Sequence, residues 1–447
     1  MFRFQQFFAE KSFSGGKKLL LATIIIASAV VSATAAGSDR ATLKISAAHT
    51  LARSSCSGTL YPELCYSAIA ASIDGGKKVE SDKDVIFLSL NVTIVAVQRN
   101  YAAIGKLIAG NKSNFTKWEK LALKDYLETL DETLDELETT VKELNEYPFK
   151  KSIEAHADDL KTLLSSAITN QRDRQARTRS LHRRAGRSRR EALQQLARDA
   201  DQHDEERKLN GRRRLAEGVW PEWMSVVDRR LLQSTTVTPD AVVAADGSGD
   251  YKTVAEAVAA APEKSKTRYV IRIKAGVYKE NVEVSKKKTN IMFVGDGRTT
   301  TIITATKNVV DGSTTFKSAT VAVVGEKFLA RDITFQNTAE PSKHQAVALR
   351  VGSDLSAFYK CDILAYQDTL YVHSNRNFFI NCLIAGTVDS IFGNAASVLQ
   401  DCDIHARRPN SGKKNMVTTH GRTDPNQNTG IVIQKSRIGA TSDLQSV

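Results

Sequence analysis

The sequence predicts an all-α helical bundle followed by an all-β, right-handed parallel β-helix. Apolar residues recur every three or four positions before residue 171, and short β-branched runs follow residue 233. Within the second part a six-residue motif repeats every 20 or 21 residues, as Phe358-Tyr-Lys-Cys361-Asp-Ile363, Phe379-Ile-Asn-Cys382-Leu-Ile384 and Leu399-Gln-Asp-Cys402-Asp-Ile404. A constant period of this length, with one short strand per copy, is typical of a solenoid of stacked coils.

Residues 1–36 have the pattern of a secretory signal peptide. Lys17 and Lys18 precede the mostly apolar run Leu19–Val31, and small residues follow it. This run is too short to span a bilayer comfortably, so a cleaved signal is favoured over an uncleaved signal anchor. Either alternative predicts an oxidising compartment. Three N-glycosylation acceptors agree weakly with secretion: Asn91, Asn111 and Asn114.

Residues 45–171 are predicted to form the helical bundle. A leucine-rich stripe runs from Leu121 to Leu144 with acidic residues between its members, and further long helices are expected over 82–108 and 152–168. Cys56 and Cys65 bracket a short turn that contains Pro62, which suggests a local disulfide bond.

Residues 172–233 are predicted to be a basic linker. The net charge of +13 is concentrated there, since 172–214 holds fifteen Lys or Arg against seven Asp or Glu. The remainder of the chain is mildly basic, which suits docking onto an acidic polymer. No aromatic RNA-binding motif or zinc-ligand spacing accompanies the arginines, so a nucleic-acid partner is not predicted.

The β-helix is expected to occupy residues 234–447. A helix is predicted near 251–260, and the clearest strands are at 269–274, 290–294, 301–304, 319–323 and 430–434. Short strands at roughly 20-residue intervals without hairpin turns favour a parallel β-helix over a sandwich.

Two aspartates, Asp368 and Asp389, are separated by one period of the repeat. They should therefore occupy the same position on neighbouring coils, about 4.8 Å apart. Two carboxylates that close push their pKa values apart, so that one can donate a proton while the other is ionised. This arrangement predicts an acid and a nucleophile of a hydrolase. For either aspartate alone, a turn-forming role is the structural alternative.

Four motifs resemble those of plant pectin methylesterases. They are Gly276-Val-Tyr-Lys-Glu280, Gln345-Ala-Val-Ala-Leu-Arg350, Gln367-Asp-Thr-Leu370 and Asp389-Ser-Ile-Phe-Gly393, and the similarity covers about 239–447. The helical region resembles the inhibitor-type pro-domain of these enzymes. The segments Arg212–Arg214 and Arg229-Arg230 are similar to the sites where a protease cuts such precursors.

The resemblance implies roles for individual residues in the hydrolysis of methyl esters of cell-wall homogalacturonan. Asp389 would be the nucleophile, and Asp368 would protonate the departing methanol and later deprotonate water. Gln367 would donate to the tetrahedral oxyanion. Gln345 and Thr315 would contact the substrate. The chemistry implies no metal or organic cofactor, because acyl transfer by two carboxylates needs none.

The same resemblance implies a disulfide bond between Cys382 and Cys402, which adjacent coils would bring close enough to pair. Cys361, one coil away, is expected to be a buried free thiol. The protein is expected to be a secreted monomer of the cell wall.

Several positions depart from the family pattern. Ser390 replaces a Phe, which should leave the site less packed and wetter, and His420 stands where a Gln is usual. Two cysteines of the last bundle helix are missing, so we interpret 172–211 as a reading-frame shift or a mis-joined gene model. We expect that helix to be disrupted and the bundle to be a poor inhibitor.

A Leu-Gly-Arg-Pro-Trp segment, whose Arg holds the nucleophile and whose Trp contacts the sugar, is not found before Val447. We therefore expect an incomplete β-helix and little or no esterase activity from the chain as printed. Two alternatives stay open. The first is a lyase or polygalacturonase on the same fold, and the second is a non-enzymatic, inhibitor-like fragment.

Overall fold

The structure is a computed structural model that describes residues 39–59, 61–110, 115–146, 156–170, 220–422, 424 and 426–445. The signal segment, the Asn111 and Asn114 acceptors, the arginine-rich part of the linker and the Arg212–Arg214 site lie outside these residues. The chain divides into two compact units, Met1–Ala96 and Val97–Val447. The domain boundaries expected from the sequence stay a prediction.

Helices account for the described residues of the first unit. Helix α1 spans Asp39–Ser57, α2 spans Pro62–Asp74, and α3 begins at Asp82 and ends at Gly110 in the second unit. The Cys56–Cys65 disulfide joins α1 to the start of α2, as predicted. Beside it, Ile69 and Ile73 are fully buried in the small core of this unit.

Two further helices belong to the second unit. Helix α4 spans Lys117–Glu146 and α5 covers 156–170. A capping box begins α4: Glu119 N–H donates to the Thr116 hydroxyl at 3.2 Å, and Thr116 N–H donates to the Glu119 carboxylate at 2.8 Å. Leu130, Leu137 and Leu144, from the predicted stripe, are buried. The stripe therefore does form an amphipathic helix.

Helix α6, Val226–Gln233, contains Arg229 and Arg230. Its first turn is capped by Ser225, whose hydroxyl accepts from Asp228 N–H at 3.0 Å. Leu232 is completely buried against the outer face of a β-sheet. A short helix α7, Val254–Ala260, confirms the helix expected near 251–260.

The rest of the second unit is a right-handed parallel β-helix of three sheets. The strands are β1 (Ala241–Val243), β2 (Tyr269–Ile273), β3 (Gly276–Lys279), β4 (Val282–Val284), β5 (Ile291–Gly295), β6 (Thr301–Ala305), β7 (Val321–Val323), β8 (Leu329–Arg331), β9 (Thr334–Asn337), β10 (Leu349–Val351), β11 (Ser356–Tyr359), β12 (Asp362–Leu364), β13 (Leu370–Val372), β14 (Arg376–Ile380), β15 (Leu383–Gly386), β16 (Ile391–Gly393), β17 (Ala396–Gln400), β18 (Asp403–Ala406), β19 (Thr418–His420), β20 (Gly430–Gln434) and β21 (Arg437–Ala440). Two 3-10 turns, Phe316–Ser318 and Pro341–Lys343, and a last short helix, α8 (Ser442–Gln445), complete the described elements.

From β2 onward each sheet collects every third strand, with parallel neighbours. The sheet orders are β1-β2-β5-β8-β11-β14-β17-β20, β3-β6-β9-β12-β15-β18-β21 and β4-β7-β10-β13-β16-β19. The last of these is called the site sheet below.

Identical positions of the repeat stack inside the coils. Phe358 pairs with Phe379 and their rings stack 4.7 Å apart, while Ile363 pairs with Ile384 on the next sheet. All four side chains are fully buried. The period read from the sequence is therefore the period of the hydrophobic core.

A left-handed residue turns the chain between two of the sheets in successive coils. Lys360, Asn381, Asp401 and Lys435 have φ between 49° and 54°. Such φ values are uncommon outside glycine, and Asn and Asp accept them most readily. The repeat thus includes a corner as well as a strand.

Candidate active site

Asp368 and Asp389 occupy equivalent corners of adjacent coils. Leu370 of β13 pairs with Ile391 of β16, and each aspartate lies two residues before its strand. Asp368 N–H donates to the carbonyl of Val388 at 2.9 Å, which joins the two corners directly. Both aspartates have left-handed backbones, with φ of 65° and 51°. The same backbone conformation thus recurs at the two matched corners, and the charge of Asp389 acts on Asp368.

The two carboxyl groups have different surroundings. Asp368 is 6% exposed, and its Oδ1 has no hydrogen-bond partner among the described residues. Burial, followed by the negative charge of Asp389, raises the pKa of Asp368 well above its ordinary value. Asp389 is half-buried and accepts a hydrogen bond from the Thr419 hydroxyl. The geometry thus favours a protonated Asp368 beside a more solvated Asp389.

Gln367 and Gln345 stack one above the other at the edge of the same site. They form a parallel bridge, and Ala346 N–H donates to the Gln367 carbonyl at 3.0 Å. Both side chains are half-buried. Gln367 lies next to Asp368 in the chain, so its amide belongs to the same corner as the acid.

Thr315 lies on the coil of β7, just before the Phe316–Ser318 turn. Its carbonyl accepts from the Ser318 hydroxyl at 2.7 Å, and that hydroxyl in turn accepts from Val347 N–H at 3.1 Å. Thr315, Gln345, Gln367 and Asp389 therefore come from four consecutive coils.

The site sheet presents a row of outward side chains that sequence reasoning missed. In strand register the row is Glu283, Ala322, Arg350, Tyr371, Phe392 and Thr419. Tyr371 and Phe392 stack with ring centroids 4.3 Å apart. Their alternation with residues of the inner core, as in Leu370-Tyr371-Val372, was the available signal. The stacked rings provide an aromatic surface on the coils of the aspartate pair.

Ser390 is buried beside Asp389, and the wetter site expected from this substitution stays a prediction. Its side chain is only 4% exposed, and its hydroxyl donates to the Thr387 carbonyl at 3.0 Å. Its N–H donates to the Met416 carbonyl at 2.9 Å. The smaller side chain is accommodated because it is drawn back onto its own turn.

His420 ends β19 and pairs with Gly393. Burial, and then the charge of Arg422, lowers the pKa of His420, so its ring is neutral near pH 7. Its Nδ1 accepts from the backbone N–H of Arg422 at 3.3 Å. These contacts agree with a coil-edge role.

The expected Cys382–Cys402 disulfide is not formed in the structure. Both residues, like Cys361, are buried free thiols, and the Sγ atoms of Cys382 and Cys402 each lie 3.4 Å from a carbonyl of their own coil. Cys382 and Cys402 lie in equivalent turns just before β15 and β18, and each thiol instead bonds a carbonyl of the preceding coil, Cys382 that of Phe358 at 3.4 Å and Cys402 that of Phe379 at 3.6 Å. Burial also raises the pKa of the Cys382 thiol well above its ordinary value. The prediction for Cys361 is confirmed.

Helices α4 and α5 contact the site sheet and the coil corners beside it. Asp125 accepts from the Thr314 hydroxyl at 2.5 Å, and Glu128 lies 3.4 Å from Arg350. From α5, the Thr169 hydroxyl accepts from the Asn394 amide at 2.8 Å, and Asp159 pairs with Arg376 at 2.6 Å. The helices therefore cover part of the outward face beside the aspartate pair.

Two family models match the chain. The Pectinesterase model matches residues 240–447, and the Plant invertase/pectin methylesterase inhibitor model matches residues 50–200. Pectinesterase 1 of Citrus sinensis is 64% identical over 419 residues, which cover 89% of this chain and 71% of that protein. Pectinesterase/pectinesterase inhibitor 3 of Arabidopsis thaliana is 58% identical over 486 residues, covering 99% of this chain and 82% of that protein.

Among solved structures, pectin methylesterase from carrot is 85% identical over 48% of this chain and 67% of that one, with a TM-score of 0.47. Taken with the parallel coils and the two matched corners, the curated relatives define the class: an esterase built on a β-helix. The chain belongs to the pectinesterase family and carries an inhibitor-like helical region before the enzyme domain.

Proposed function

We propose that this pectinesterase hydrolyses methyl esters of homogalacturonan through a covalent acyl-enzyme formed on Asp389. The observation that carries the proposal is the pair of matched corners, where a buried Asp368 of raised pKa adjoins a more exposed Asp389. The curated pectinesterases of Citrus sinensis and Arabidopsis thaliana that the chain resembles support a pectin-type substrate.

In the first half-reaction a carboxylate oxygen of Asp389 attacks the ester carbonyl carbon. The carbonyl electrons move to oxygen, and the Gln367 amide donates a hydrogen bond to that oxyanion. When the tetrahedral intermediate collapses, the bond to the methoxy oxygen breaks and Asp368 gives that oxygen its proton. Methanol leaves, and an acid anhydride joins the sugar to Asp389.

In the second half-reaction the ionised Asp368 removes a proton from water as the water attacks the anhydride. The anhydride bond breaks, which releases a free galacturonic acid carboxyl group that then loses its proton to solvent, restores the Asp389 carboxylate and leaves Asp368 protonated. Gln345 and Thr315, on the two preceding coils, contact the substrate. The four consecutive coils suit an extended polymer that runs along the β-helix.

We further propose that the protein is a secreted monomer of the cell wall. Residues 1–36 serve as its signal, Asn91, Asn111 and Asn114 serve as glycosylation acceptors, and a protease cuts at Arg212–Arg214 and Arg229-Arg230. The similarity to plant pectinesterases and the Cys56–Cys65 disulfide support an extracellular site.

The test is methanol release from methyl-esterified homogalacturonan by the protein extended through a family-like Leu-Gly-Arg-Pro-Trp segment, taken as wild type, and by its Asp389→Ala variant. We expect the variant to lose about 10³-fold or more in rate, because removing a covalent nucleophile leaves only binding and oxyanion contacts. Thr387→Ser, a buried position on the same turn, is the matched control and should stay within about threefold of wild type. Equal methanol release by wild type and Asp389→Ala would refute the mechanism. Unsaturated or reducing sugar ends without methanol would point to a lyase or a polygalacturonase.

A further inference from the structure

A small pocket opens beside the aromatic row, on the coils that precede the aspartate pair. Its volume is about 130 Å³, and its lining includes Phe316, Lys317, Arg350 and Asn281. Arg350 pairs in register with Tyr371, so the pocket lies one coil from Asp368 and two coils from Asp389. Coils are about 4.8 Å apart, and a polymer on the aspartate pair would therefore pass over it.

The pocket combines an aromatic ring with two cations. The Arg350 guanidinium lies over the Phe316 ring at 3.4 Å from its centroid, and the Lys317 ammonium lies 5.6 Å from the same centroid. The Arg350 side chain is only 1% exposed. Its Nε and Nη1 have no hydrogen-bond acceptor among the described residues. A buried guanidinium of this kind is costly without an anion.

A carboxylate from the helical region already pairs with both cations. Glu128 of α4 contacts Lys317 with one oxygen and lies 3.4 Å from Arg350 Nη2 with the other. Glu132, one turn further along α4, is 4.0 Å from Arg350 Nη1. The two cations that line the pocket are thus already paired with a side-chain carboxylate supplied by another part of the same chain.

We propose that Lys317 and Arg350, over the ring of Phe316, form a binding subsite for an ionised galacturonate, and that Glu128 takes the place of its carboxylate in this chain. The proposal rests on the function proposed above. A methyl ester is neutral and would leave the buried Arg350 charge without a partner, so the subsite selects a sugar that is already demethylated. The preferred substrates would then be methyl esters whose sugar lies one or two coils away from a free carboxylate bound at the subsite.

The test is equilibrium binding of two hexameric galacturonates to the full chain by calorimetry, one unesterified and the other fully methyl-esterified. We expect Glu128→Gln to tighten binding of the unesterified hexamer by about tenfold or more, because the competing carboxylate has lost its charge. Affinity for the esterified hexamer should stay within about twofold. Adding Lys317→Met to the Glu128→Gln variant should reverse the gain. Lys317 is used because truncating the buried Arg350 risks the fold.

Asp135→Asn is the matched control, since Asp135 is on the same helix but pairs with Lys286 at 2.7 Å, away from the pocket. An unchanged affinity in Glu128→Gln would overturn the proposal. Equal gains for both hexamers, or an equal gain in Asp135→Asn, would also overturn it, because both indicate only a loosened helix. Methanol release by the wild type separates the two proposals. A protein that binds as expected but whose extended form releases no methanol refutes the esterase mechanism and leaves the subsite intact.

Discussion

At the scale of single residues, the carboxyl group of Asp368 is held where its ionised form is disfavoured. Burial and the neighbouring Asp389 both raise its pKa, and no described group donates a hydrogen bond to its Oδ1. A general acid needs this environment in order to keep its proton at the pH of reaction. The same environment reduces the stability of the fold, because the unfolded chain ionises more easily.

We therefore expect Asp368→Asn to stabilise the protein near neutral pH while abolishing methanol release. In the unfolded chain an Asp ionises near pH 3.9, and in the folded chain only at higher pH. Asp368 thus lowers the free energy of unfolding as pH rises above about 4, whereas below that pH both states are protonated and the cost disappears. Thermal unfolding of wild type and variant at about pH 3 and pH 7 measures this. A melting temperature that is no higher in the variant at pH 7 would contradict the assignment.

At the scale of secondary-structure elements, α6 holds one of the proposed processing sites in a folded helix. Arg229 donates from Nε to the Met224 carbonyl at 3.0 Å and from Nη2 to the Pro221 carbonyl at 3.2 Å. Asp228, in the first turn, pairs with Arg268 of the β-helix at 2.5 Å. Proteases bind their substrates as extended chains, so this site must open locally before it is cut.

Trypsin should accordingly cut the Arg229-Arg230 site much more slowly than Lys413-Lys414, an exposed dibasic turn that serves as internal control. Ser225→Ala removes the cap of α6, which costs about 1 kcal/mol and should speed cleavage at Arg229-Arg230 about fivefold. Leu232→Ala, which empties a buried site, costs about 2–5 kcal/mol and should speed it further. Mass spectrometry of timed digests follows both sites. Cleavage at Arg229-Arg230 as fast as at Lys413-Lys414 in the wild type would show that α6 gives no protection.

At the scale of the whole molecule, part of the helical region depends on the β-helix for its polar contacts. Asp125 is 1% exposed and is bonded to Thr314, while Glu136 receives a hydrogen bond from the Asn375 amide at 3.3 Å. Burial is the main cause that raises the pKa of Glu136 well above its ordinary value. A buried polar group that loses its partner costs about 1–3 kcal/mol. The helices and the β-helix of the second unit therefore stabilise each other.

From this dependence, and from the missing cysteines of the last bundle helix, we expect an isolated fragment of residues 45–215 to be loosely packed. It should unfold gradually in urea, with a weak near-ultraviolet circular dichroism signal, while the full chain shows a cooperative transition. The full chain measured under identical conditions is the control. A stable fragment with a single sharp transition would contradict the expectation.

The sequence by itself determined the repeating part of this protein. The 21-residue interval between Asp368 and Asp389 matched the interval of the strands, so their shared corner could be predicted before any coordinates were known. The same holds for the stacked Phe358 and Phe379 and for the leucine stripe of α4. In each case a local period is enough, because identical positions of a solenoid must meet their neighbours on the next coil.

Only the tertiary structure decided which residues from distant parts of the chain, outside the repeat, contact one another. The pairing of Glu128 with Arg350 joins residues 222 positions apart, and no spacing rule connects a helix stripe to a particular strand. The expected Cys382–Cys402 bond depended on side-chain direction, which the period leaves open, and both thiols are free in the structure. The pKa of Asp368 likewise depends mainly on how deeply its carboxyl group is buried, which only the folded structure shows. Distances, directions and solvent exclusion arise from the packed whole, so they could not be read from the order of the residues alone.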